Sequence, residues 1–102
     1  MRDAMVLPVA KLHRAPGLAL DHLALVEPLT IGAHAVRRAT LPPGEAALVI
    51  GAGPIGLATM QFACLDGARV IAMEINEQRA AFARKTIGIE HVIDPRDRPV
   101  EQ

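Results

Sequence analysis

Three glycines spaced G-x-G-x-x-G constrain this chain more than any other feature. They lie in Val49-Ile50-Gly51-Ala52-Gly53-Pro54-Ile55-Gly56, where an apolar run enters the glycines and an apolar segment of helical length leaves them. Eighteen residues past Gly56 sits Glu74, at the end of a second apolar run, Val70-Ile71-Ala72-Met73. Strand, glycine turn, helix, strand and acid in that order form the dinucleotide-binding fingerprint. The glycines alone are shared by many turns; the flanking elements and the acid at the right distance make the pattern specific.

Each residue type has a chemical reason to be there. Gly51 suits a tight turn leaving the strand. Gly53, lacking a side chain, lets the backbone approach a pyrophosphate, and Gly56 lets the following helix pack closely. Free N–H groups and the positive end of the helix dipole then face the phosphates. Pro54 has no N–H to offer, but proline fits the first helical turn. The phosphate contact is therefore assigned to the amides of Ile55 and Gly56. Glu74 would accept hydrogen bonds from the adenosine ribose hydroxyls. Its charge opposes a 2′-phosphate, so NAD is favoured over NADP. The bland alternative is a glycine turn that binds nothing, with Glu74 merely solvated.

Composition narrows the partners. The chain has 102 residues and equal numbers of acidic and basic side chains, so no electrostatic partner such as nucleic acid or an acidic membrane is suggested. Phe62 and Phe82 are the only aromatics, which leaves no platform for base stacking. Cys64, the single cysteine, excludes an internal disulfide or a multi-cysteine zinc site. Its place in the helix after the glycine turn predicts a buried structural thiol. The longest apolar run, Ala46 to Met60, is broken by glycines and a proline, and reads as strand, turn and helix rather than a membrane span. No signal peptide is apparent, and a cytoplasmic location is the default expectation.

Periodicity and punctuation give the remaining elements. Met5–Val9 reads as a short edge strand containing Pro8. Asp21 is a candidate N-cap for a short helix through Val26. A second helix starts at Pro28 and runs to about Ala39, with Leu29, Ala33 and Val36 on one face. Leu41-Pro42-Pro43-Gly44 stops it. Ala46–Ile50 is continuously apolar, as in a strand covered on both faces. A helix from Pro54 to Asp66 ends at Gly67. Arg69–Met73 is the next strand, and Asn76 caps a helix from Glu77 to Ile87, whose apolar side carries Ala80, Phe82, Ala83 and Ile87. Gly88 closes that helix, and His91-Val92-Ile93 is a short third strand. Arg37-Arg38 and Arg96-Asp97-Arg98 read as solvated charge, and Arg96 to Gln102 as a disordered tail. Of the histidines, His13, His22 and His91 have no partner at metal spacing, and His34 reads as packed or solvated.

Taken together, Glu27-Pro28-Leu29, Gly32-Ala33-His34-Ala35, Pro43-Gly44-Glu45, the glycine turn and Glu74-Ile75-Asn76 resemble the zinc-dependent medium-chain dehydrogenases, the polyol and threonine dehydrogenases above all. The likeness runs from about residue 6 to 95. It implies an α/β fold: the first half of a Rossmann-type parallel sheet, strand order 3-2-1, with flanking helices and an N-terminal bridging helix. On that scheme residues 1–20 are a remnant of the catalytic domain, 21–41 are bridging helices and 42–95 are the first half of the dinucleotide-binding domain.

The resemblance implies reversible oxidation of an alcohol or polyol to a ketone, with hydride passing to the nicotinamide while zinc polarises the substrate oxygen. It carries Gly51, Gly53, Pro54, Ile55 and Gly56 onto the phosphate loop and Glu74 onto the ribose-binding acid. Ile75 flanks the adenine, Arg79 lies near the ribose, and Glu27 ligates the catalytic zinc or holds its water. Glu27 could equally be a helix N-terminal carboxylate favoured by the dipole. The family's other zinc ligands lie upstream of the Glu-Pro motif, and none of the 26 residues before Glu27 is cysteine. Catalytic zinc needs three protein ligands, so no tightly bound zinc and no turnover are expected of this chain alone. A second reading is an inactive nucleotide-binding or interaction module that uses only the adenosine half-site. Two further expectations concern partners. The dinucleotide is one; the other is a second copy pairing through the apolar edge of Ala46–Ile50.

Overall fold

A computed structural model describes residues 3–97 of the chain. Helices α1 (Leu20–Ala24) and α2 (Val26–Ala39) lead into strand β1 (Ala46–Ile50). Helix α3 (Pro54–Leu65), strand β2 (Arg69–Met73), helix α4 (Glu77–Phe82) and strand β3 (His91–Ile93) follow. The strands form one parallel sheet in the order β1-β2-β3. Register pairs Ala46 with Arg69 through Ile50 with Met73, and Ile71 with His91 through Met73 with Ile93. All three carboxyl ends therefore point the same way, and every loop that leaves them opens on one rim. The Rossmann-type α/β expectation, with its 3-2-1 order, is met.

Small residues let the layers close up. Ala58, Met60 and Ala63 of α3, Val70 and Ala72 of β2, and Ala80 and Ala83 of the following helix are buried together with Val36 and Ile89. Alanine dominates because helices lie directly on the sheet. Helix α2 presses on α3 at Gly32: a Cβ there would stand 2.7 Å from the Thr59 backbone nitrogen and 2.8 Å from the Ala58 Cβ. No other residue type fits that crossing unless the helices separate.

Helix α3 ends as the sequence predicts. The Ala68 N–H donates to the Ala63 carbonyl and the Gly67 N–H to that of Cys64, which is a Schellman closure. Asn76 also caps as expected, its side-chain oxygen accepting the Arg79 N–H at 3.1 Å.

Several expectations are corrected. Met5–Val9 is not a strand; a single 3₁₀ turn, Val9–Lys11, stands there instead, and the three-stranded sheet offers it no ladder. The helix boundary near Pro28 lies earlier, since α2 begins at Val26 and places Pro28 within its first turn. The last turn before Gly88 is a π-helix, Ala83–Ile87, closed by the Gly88 N–H donating to the Ala83 carbonyl five residues back; Gly88 is left-handed, and the Ile89 N–H donates to the same carbonyl at 3.1 Å. Phe82 is exposed, while Ala80 and Ala83 take the buried positions beside it. Cys64 is exposed rather than buried, as Ala63 occupies the inward position, and partial burial still raises its thiol pKa. Strand β1 alternates instead of being covered on both faces: Leu48 is 48% and Ile50 76% exposed.

Arg96 and Asp97 belong to an ordered turn, in which the Asp97 N–H donates to the Asp94 carbonyl at 3.1 Å. The expectations for Arg98 and the rest of the tail lie outside the described residues. No helix among the described residues is long and apolar enough to cross a membrane.

Candidate functional site

The rim at the carboxyl ends of the strands gathers the glycine turn and Glu74. Gly51 carries φ +93°, a conformation side chains rarely adopt, and turns the chain out of β1. Its own N–H remains in the sheet, donating to the Met73 carbonyl at 2.7 Å. Gly53 is the extended N-cap of α3, and a Cβ added to it would meet nothing within 4 Å. Its surroundings are therefore open to an incoming group. Gly56 is the opposite case, since a Cβ there would overlap the Gly51 carbonyl oxygen. The third glycine is needed for the helix to lie against the turn.

No side chain caps α3, and Pro54 occupies its first position. The Ile55 and Gly56 amides, second and third in the helix, have no acceptor within the helix itself. They point with the helix dipole at the open space beside Gly53, an arrangement that suits an anion.

Glu74 closes the site from the neighbouring strand. Its backbone N–H continues the ladder to the Ile93 carbonyl at 3.0 Å. Glu74 is 7% exposed, and each carboxylate oxygen accepts one hydrogen bond: one from the Ala52 N–H at 2.7 Å, the other from the Asn76 N–H at 2.8 Å. These bonds, the Asn76 one foremost, hold its pKa below the ordinary glutamate value against the opposing effect of burial, and the nearby Arg79 charge adds to the lowering. The acid is thus ionised, rigid and tied directly to the glycine turn.

The structure brings Gly51, Gly53, Pro54, Ile55, Gly56, Glu74 and Ile75 to one rim, with Arg79 one helical turn beyond. Glu27 is elsewhere, exposed in the first turn of α2. No three His, Cys, Asp or Glu side chains among the described residues come together as a metal site. The residues described do not fit a catalytic zinc, which needs three protein ligands.

One member of the rim escaped the sequence reading. Arg96 is not simply solvated: its Nε reaches both Asp94 carboxylate oxygens at 3.0 Å, and its Nη2 donates to the Ile75 carbonyl at 2.8 Å. The ion pair holds the Asp94 carboxyl down at about 2. The only hint in the sequence is an acid two residues before an arginine across a proline, a turn pattern too common to single out.

Comparison with known proteins decides the kinship. The family model described as zinc-binding dehydrogenase matches residues 54–102. Over 77 residues the chain is 48% identical to the L-galactonate-5-dehydrogenase of Escherichia coli, covering 76% of this chain and 23% of that enzyme. Over 96 residues it is 43% identical to a zinc-type alcohol dehydrogenase-like protein of Haemophilus influenzae, covering 93% of this chain and 28% of that protein. The chain belongs to the zinc-type alcohol dehydrogenase family. The galactitol-1-phosphate dehydrogenase of Escherichia coli superposes with a TM-score of 0.68 at 31% identity, over 81% of this chain and 24% of that one. The chain spans about a quarter of the length of these dehydrogenases.

Proposed function

We propose that this dehydrogenase segment binds the adenosine diphosphate half of NAD, as part of an oxidoreductase that interconverts an alcohol or polyol and a ketone. One observation carries the reading: a buried, ionised acid just past the end of β2 is hydrogen-bonded to the glycine turn that opens α3. The diphosphate would lie beside Gly53, where the Ile55 and Gly56 amides donate to it. Glu74 uses one lone pair on each oxygen for Ala52 and Asn76, and the remaining ones accept from the ribose hydroxyls. Its fixed negative charge repels a 2′-phosphate, which favours NAD over NADP. When bound, the nicotinamide supplies the hydride acceptor; the residues described here bind and orient the adenosine end.

Isothermal titration of the 102-residue chain with ADP-ribose, NAD and AMP tests this. ADP-ribose and NAD are expected to bind with similar affinity and AMP more weakly; absence of heat with all three at millimolar concentration refutes it.

A second reading, a nucleotide-binding module without turnover, is favoured by the isolated position of Glu27. It expects the same binding and no polyol oxidation when zinc and NAD are supplied. Turnover under those conditions would exclude it. For the chain by itself we further propose that two copies pair through the outer edge of β1, a terminal strand of the sheet whose Leu48 and Ile50 are exposed on one face.

A further inference from the structure

The loop after β3 reaches across the sheet to the loop after β2, and a single side chain makes the link. Arg96 is gripped on one side by Asp94, through Nε to both carboxylate oxygens and through Nη2 to Oδ2. Its backbone N–H also donates to Asp94 Oδ1, at 2.9 Å, so side chain and main chain are fixed by the same acid. The same Nη2 bonds the Ile75 carbonyl, 21 residues away in sequence. Ile75 stands directly between Glu74 and Asn76, the two residues whose hydrogen bond shapes the rim of the site. Its side chain projects into solvent, an apolar surface beside the acid.

We propose that Arg96 is a positioning residue for adenosine recognition: tied to Asp94 and to the Ile75 carbonyl, it pins the turn bearing Glu74 and Ile75 against the end of β3. The proposal rests on the nucleotide reading above and adds a residue to it. Without the link, the peptide between Ile75 and Asn76 is held by the Asn76 N–H alone, and the Ile75 side chain loses its fixed stance toward a flat base. The planar fork is essential. Arginine can bind a carboxylate and a carbonyl at once, whereas lysine keeps the charge without the geometry.

The test is calorimetric, on the whole chain, with ADP-ribose as one probe and inorganic pyrophosphate, measured by competition, as the other. Arg96→Met, Arg96→Lys and Asp94→Asn are each expected to weaken ADP-ribose binding about fivefold, the scale of one exposed ion-pair contact. Pyrophosphate, which touches only the glycine turn, should change less than twofold. That split separates positioning from a general loss of structure, which would weaken both probes together and overturn the proposal. Full retention in Arg96→Lys with loss in Arg96→Met would mean distant attraction of charge, and would also overturn it. Unchanged ADP-ribose binding in all three variants defeats the role of Arg96 alone. A wild-type chain that binds no ADP-ribose defeats the nucleotide reading itself.

Discussion

The Glu74 carboxylate accepts the Ala52 N–H at 2.7 Å, joining the end of β2 to the middle of the glycine turn across 22 residues. Acid and glycine turn are therefore joined without any ligand, and the proposed nucleotide would meet a low ordering cost there.

Replacing Glu74 by glutamine should expose the value of that bond. One amide hydrogen of the turn or of Asn76 then faces an NH₂ group, at a cost of about 1–3 kcal/mol. By urea unfolding at pH 7 the Glu74→Gln protein is expected to be less stable by that amount. The difference also depends on pH. Because the folded pKa is depressed, the carboxylate's contribution is complete above the unfolded value of about 4.3 and is lost as pH falls through the folded value. The gap between the two proteins should narrow below about pH 4; a constant gap would contradict the assignment.

Two glycines three residues apart should respond in opposite ways. Gly53→Ala adds a methyl group to open space and should leave Tm nearly unchanged, while ADP-ribose binding falls because the methyl occupies the diphosphate's approach. Gly56→Ala forces a methyl onto the Gly51 carbonyl and should destabilise the fold by roughly 1–3 kcal/mol or more. Thermal melts paired with calorimetry distinguish them; loss of stability in Gly53→Ala would show that its surroundings are closed.

The α2–α3 crossing gives a third expectation. Gly32→Ala drives the helices apart at Ala58 and Thr59, and Tm should fall by about 4–8 °C for each kcal/mol lost. Ala33→Gly, one position along on the same helix, relieves nothing and should cost only the usual helix penalty of about 1 kcal/mol plus its small packing loss.

The outer edge of β1 predicts association. Light scattering at increasing concentration is expected to show a dimer of the chain, and Ile50→Lys should return it to monomer by placing a charge on the exposed face of the pairing strand. A wild-type chain that stays monomeric at high concentration would rule the pairing out.

The sequence spelled out local chemistry better than exposure. The glycine turn, the Asn76 cap, the Schellman ending at Gly67 and the three strands were all legible, because each depends on a few adjacent residue types. What depends on neighbours far along the chain was not. Apolar β1 reads as covered on both faces, yet Leu48 and Ile50 lie on a face that is left exposed. The apolar identity of Phe82 and the place of Cys64 in α3 suggest burial, but alanines hold the inner positions. Within the site, Glu74 was visible by its spacing. Its bond to Ala52 and the reach of Arg96 to Ile75 were not, since neither has a local signature.

The absent side chain at Gly32 has a mechanical consequence. At Gly32 the backbones of α2 and α3 are in close contact, and the Thr59 hydroxyl at that junction donates to the carbonyl of Ile55, in the first turn of α3. A shift of α2 therefore meets the backbone of α3 directly, with no flexible side chain between them to absorb it.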